Sequence, residues 1–211
     1  MKKLITIILS LALSIFLLSL AVKGTLAFRQ LYFYDLDHLN IARDYGMKKE
    51  EIMKNYNILI DYIEDKKIAK LSMPSFKMSR EGEIHFKEVK DIFMKFNTLM
   101  YVCGVLGLIG IIYMTKIKNF LFLKFSSIML IVIPVVLSIP FAINFDRSFT
   151  AFHKLFFTND YWEFDPVRDP IINVLPQEFF FHCAVMILAL IALFSFILYF
   201  IYRKTRKISR V

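Results

Sequence analysis

The chain has 211 residues, 57% hydrophobic and 16% aromatic, with a formal net charge of +9 and a mean hydropathy of +0.55, too apolar and too basic for an ordinary soluble domain. Six Gly and six Pro, with no low-complexity tract and no internal repeat, exclude collagen-like, disordered and solenoid architectures. The composition points to a membrane protein.

The apolar residues fall into four blocks, Leu4 to Val22, Asn97 to Met114, Phe125 to Asn144 and Phe179 to Tyr202, each near the ~20 residues that cross a bilayer core as a helix. The first follows Lys2 and Lys3 but is longer than a secretory h-region and lacks a small-residue cleavage site, so it is expected to be retained. An all-α integral membrane protein is expected, with four transmembrane helices and a small, mostly helical extracellular cap. Its segments are 1–22 (cytoplasmic N-terminus and first span), 23–95 (cap), 96–144 (second and third spans), 145–178 (outer aromatic and histidine loop) and 179–211 (fourth span and basic tail).

Charge orients this arrangement. Lys2, Lys3, Lys116, Lys118, Lys124, Arg203, Lys204, Arg206, Lys207 and Arg210 fall on one side with no acidic residue, whereas the other 17 basic residues share the remaining segments with all 18 acidic ones. Cytoplasmic termini follow. The surplus charge suits anionic lipid headgroups and calls for no nucleic acid. Cys103 and Cys183 lie at apolar positions inside spans, where a thiol acts as a small hydrophobe, and no disulfide or zinc pattern exists.

In the cap, Leu36, Leu39 and Ile41 permit a short helix behind Asp35. Ile52, Met53, Tyr56, Leu59, Ile60 and Ile63 recur on one helical face between Met47 and Lys66. Ile68 to Phe76 reads as extended because of Pro74, and a helix is expected after Gly82, running into the second span. The later outer segment interleaves aromatic and polar residues from Phe152 to Pro166. Rings alone would suit an interfacial belt; histidine, asparagine and aspartate among them suit a polar pocket with aromatic walls.

Of the four histidines, His38 reads as a solvated residue and His182 as one that snorkels to the interface. His85 and Glu88 are three apart, so on a helix the carboxylate could orient the imidazole. His153 and Asp160 form a looser combination. An imidazole near its reference pKa of ~6.5 suits general acid–base work, and no nucleophile elbow, H-E-x-x-H, P-loop or dinucleotide fingerprint is present.

The plan of four spans with a cap after the first, the segment from Ser79 to Val89 containing His85-x-x-Glu88-Val89, and Phe152-His153-x-x-Phe156-Phe157-x-Asn159-Asp160-x-Trp162 followed by Pro176-x-x-Phe179-Phe180 resemble the bacterial lipoprotein intramolecular transacylases. Glu88 stands where the family's pattern His-x-x-Asp-Val has an aspartate. The resemblance implies an acyltransferase with catalytic residues His85 and His153, and Glu88, Asp160, Phe157, Tyr161 and Trp162 as supporting or substrate-binding residues. It implies no cofactor and no metal. The implied substrate is a diacylglyceryl lipoprotein held in membrane lipid, whose sn-2 acyl chain moves to the α-amino group of its N-terminal cysteine to give the lyso-form.

Two other readings fit the same residues. A metal-dependent membrane hydrolase would use His85, His153 and Asp160 as ligands, although no helical pair of His or Cys three or four apart supports it. A non-enzymatic accessory protein would use the cap to dock a partner. No span carries a charge at midplane, which argues against a transporter.

Overall fold

The structure is a computed structural model describing residues 2–208, without the side chains of Phe145, Lys207 and Ile208. Arg210, counted above among the basic tail, lies outside the described residues. Every regular element among them is helical: α1 Lys2–Ala27, α2 Gln30–His38, α3 Ile41–Tyr45, α4 Lys49–Glu64, α5 Arg80–Lys116, α6 Leu121–Ile143, α7 Phe145–Phe156, a 3₁₀ turn Pro170–Val174, and α8 Gln177–Ile208. α1, α5, α6 and α8 are long and apolar enough to cross a membrane, which matches the four blocks in the sequence.

The chain divides into two compact units. The first comprises 1–24, 96–144 and 186–211. Its core is formed by Leu9, Leu13, Met114, Phe122, Leu130 and Ile191, among others, while Leu108, Leu137 and Phe196 stay more than 60% exposed. An outward apolar surface of this kind is matched to lipid rather than water. Small residues let the helices approach. A Cβ on Gly110 would lie 2.5 Å from Leu9 Cδ1, and the hydroxyls of Ser10 and Ser126 donate to Phe122 O and Ser10 O, both at 3.2 Å. Ser195 Oγ donates to Ser127 O at 2.7 Å.

The second unit comprises 25–95 and 145–185. Tyr32, Leu36, Ile52, Tyr56, Leu59 and Ile63 from α2 and α4 share one core with Phe86 of α5, Ile171 and Val174 of the 3₁₀ turn, and Phe179 of α8. Tyr32 stacks on Tyr56 with ring centroids 3.9 Å apart, and its buried hydroxyl donates to Val174 O at 2.7 Å. The segment 145–178 is therefore not a free loop: its first third is α7, and its end packs into the cap's core. Residues 179–185, assigned above to the fourth span, belong to this unit too.

Two local expectations change. Asp35 does not precede a helix but lies inside α2, because Tyr32 and Leu36, four apart, are both buried and draw the whole stretch from Gln30 onto the core. α5 starts at Arg80, before Gly82, because Ser79 Oγ accepts the Gly82 N–H at 2.9 Å as an N-terminal cap.

Candidate functional site

His85 sits in the charged first part of α5, Arg80–Lys95, which belongs to the cap unit. Its position is fixed by how α5 begins. Asp169, buried, accepts from Ser79 N at 2.7 Å and from Ser79 Oγ at 2.6 Å. A Cβ on Gly82 would come within 2.3 Å of Asp169 Oδ1, so only glycine admits this approach. Arg168 adds an ion pair to Glu81 at 2.8 Å. The strap that follows Trp162 is thereby tied to the first turn of the helix that carries His85.

His153 lies one turn from the end of α7. The two imidazole centroids are 6.3 Å apart, close enough for one small polar group to bridge them. Aromatic rings enclose them. Phe157 and Phe164 lie 4.8 and 5.3 Å from the His85 ring, and Trp162 stacks on His153 at 4.6 Å. His85, Phe157 and Trp162 are buried, whereas His153 is partly open.

The two rings are held differently. His153 Nδ1 lies 2.8 Å from the carbonyl oxygen of Phe149, one turn back on α7. A carbonyl only accepts, so Nδ1 carries the proton and the neutral ring leaves its Nε2 lone pair free. His85 Nδ1 is buried with no partner. Burial, then the neighbouring His153, pushes the His85 pKa down to about 4. Burial also lowers that of His153, opposed by its bond to the Phe149 carbonyl. Both imidazoles are thus neutral at pH 7.

Neither predicted carboxylate orients its histidine. Glu88 Oε1 instead accepts from Asn159 Nδ2 at 2.8 Å, and its Oε2 is buried with no partner. Asp160 is exposed at a turn, where its carbonyl accepts the Glu163 N–H at 3.0 Å, and the carbonyl of Phe149 holds His153 in its place. Tyr161 is 39% exposed, outside the enclosing wall. Phe149, Phe164, Asn159 and Asp169 complete the arrangement without having been singled out as site residues. Only Asn159 carried a signal, as the amide inside the Phe157-x-Asn159-Asp160 string. His182 does not snorkel: its Nδ1 lies 2.8 and 3.0 Å from the two oxygens of the fully buried Asp35. His38 is exposed and stacks on Tyr34.

The family model described as "Lipoprotein intramolecular transacylase Lit" matches residues 7–180. The chain belongs to the lipoprotein intramolecular transacylase family. The structure of the membrane integral family member Lit from Bacillus cereus is similar with a TM-score of 0.95 at 42% identity, covering 100% of this chain and 98% of that one. A structure of the same relative with an H85R mutation has a TM-score of 0.93 at 42% identity, covering 100% and 94%. An uncharacterized protein of Aquifex aeolicus is 25% identical over 208 residues, 95% of this chain and 94% of that protein. The expected family, the all-helical membrane fold and the acyltransferase class all stand. As a family member with four apolar helices, the protein is a membrane protein.

Both imidazoles lie in the second unit. A groove between α6 and α8, lined by Ile128, Val132 and Phe196 among others, contains no histidine, carboxylate or amine. Among the described residues no three His, Cys, Asp or Glu side chains converge as a metal site would require.

Proposed function

We propose that the chain transfers the sn-2 acyl group of a diacylglyceryl lipoprotein to the α-amino nitrogen of the same molecule's N-terminal cysteine, with His153 as the base and His85 as the donor to the oxyanion. The observation that carries this reading is the juxtaposition of two neutral imidazoles, one with its proton committed to a backbone carbonyl.

Amine nitrogen, Cα, Cβ, sulfur, two glycerol carbons, ester oxygen and acyl carbon close a ring of about eight atoms, so positioning is the main obstacle and an enclosing pocket supplies several kcal/mol. The neutral amine attacks the ester carbonyl, and His153 Nε2 takes the proton that the nitrogen loses. The bond between the acyl carbon and the ester oxygen breaks, and the same proton passes to the departing oxygen, which stays on the sn-2 carbon of the glycerol as its hydroxyl. The unpartnered Nδ1 of His85 faces the tetrahedral oxygen as its N–H tautomer. A second imidazolium is not needed, and the proximity of the rings disfavours one. Phe157 and Trp162 exclude water, which would otherwise compete with the amine for the acyl group.

Mass spectrometry of the N-terminal lipopeptide tests the reading: cells with the protein should yield the N-acyl, S-monoacylglyceryl form, and cells without it the diacylglyceryl form. The pH profile separates this proton shuttle from a mechanism with one charged and one neutral histidine. Because both pKa values lie below the ordinary ~6.5, kcat/KM should rise with deprotonation of the substrate amine, near ~7.7–8.0, and then level off. A bell with a descending limb between pH 7 and 9 would instead require an imidazolium.

The site's side of the membrane follows from the cation asymmetry. With both termini cytoplasmic, a cysteine at Lys54, exposed on α4, should react with a membrane-impermeant maleimide in intact cells, and one at Lys116 should react only after permeabilisation. The reverse pattern would invert the topology.

A further inference from the structure

Three polar atoms around the histidine pair are buried without a partner: His85 Nδ1, Glu88 Oε2 and Trp162 Nε1. Leaving such an atom unsatisfied is unfavourable, and in a native structure each calls for a reason. Their polarities differ. The indole N–H can only donate and a carboxylate oxygen can only accept, so a group that satisfies all three must offer both an acceptor and a donor.

Glu88 is the more informative. Asn159 Nδ2 holds Oε1, which fixes the carboxylate and leaves one oxygen spare. None of the ion pairs among the described residues involves Glu88. A carboxylate with one oxygen buried and no counter-charge is unfavourable unless a cation arrives with the ligand. Glu88 lies three residues beyond His85 on the same helix, so its spare oxygen belongs to the face that also carries the imidazole.

We propose that Glu88 Oε2 binds the α-ammonium group of the acyl acceptor, making this carboxylate the group that selects a lipoprotein with a free N-terminus. The assignment rests on the transacylase reading above. It gives the enzyme a means of rejecting a cysteine whose nitrogen is already acylated, since an amide brings no cation to Glu88. The carboxylate also stabilises the ammonium form of the bound substrate. Within the complex, the amine therefore loses its proton at a higher pH than it does in free solution.

The test uses the purified full chain and two unreactive lipopeptides, both with an ether in place of the sn-2 ester: one with a free α-amino group, the other its desamino analogue. Against the wild-type chain the amine should compete with a diacylated substrate at least ~10-fold better than the desamino compound, and Glu88→Gln should erase that preference. The substitution should also raise KM and move the rise of kcat to lower pH. Equal competition by the two ethers in the wild type, or an undiminished preference in E88Q, overturns the assignment of Glu88. If the wild type leaves the diacylated substrate unconverted, the transacylase reading itself fails.

Discussion

Replacing His153 with alanine is expected to lower conversion of diacylated lipoprotein to the lyso-form by at least ~10²-fold, the scale of a lost general base, while the protein still inserts and accumulates. The ring is partly open and its Nδ1 bond goes to its own helix, so its removal leaves no buried group stranded elsewhere. His85→Ala should cost a comparable factor through the lost oxyanion donor. The two should combine to less than the product of the single losses, because they serve one transition state. His38→Ala, on an exposed ring, is the control and should change the rate little. Quantifying both lipid forms by mass spectrometry against immunoblotted protein level decides the matter. Full activity in either site variant would remove the histidine pair from the mechanism.

His182→Ala is expected to act on stability instead. It would strand the Asp35 carboxylate, which is fully buried and bonded to His182 through both oxygens. Removing one partner of a buried polar pair costs about 1–3 kcal/mol, and more when the survivor is charged. The detergent-solubilised variant should therefore unfold several degrees lower than the wild type. Adding Asp35→Asn to His182→Ala should recover part of the loss by deleting the stranded charge. A His182→Ala chain with an unchanged midpoint but an activity loss equal to that of His153→Ala would move His182 from the scaffold into the catalytic machinery.

The spans were legible because a 20-residue apolar block has few alternatives, and α4 because its buried face repeats every three or four residues. The two histidines were legible through the short strings around them. Their partners were not. Asp35 and His182 are 147 residues apart, Ser79 and Asp169 are 90 apart, and Glu88 and Asn159 are 71 apart. A contact made across such distances leaves no period in either segment. Spacing suggested that Glu88 would face His85 and Asp160 would face His153. Spacing does not register that an amide from α7's following turn occupies Glu88, nor that a peptide carbonyl can replace a carboxylate. The helix Phe145–Phe156 within 145–178 was not legible for a related reason: its aromatic richness reads as the wall of a pocket rather than as a helical period.

The carbonyl oxygen of Phe149 fixes the tautomer of His153. Where a carboxylate side chain fixes the tautomer of a histidine base, as in the Ser-His-Asp triad, a single substitution there disables the base. Here the proton's location is set by the backbone of the helix on which the histidine stands, and no exchange of side chain at position 149 deletes that oxygen. The reaction is thereby insulated from point mutation at the position nearest its base. Its vulnerability lies in the continuity of one helical turn: a proline at Ala151 or Phe152, which leaves His153 and Phe149 untouched, would misdirect the proton as surely as replacing the histidine.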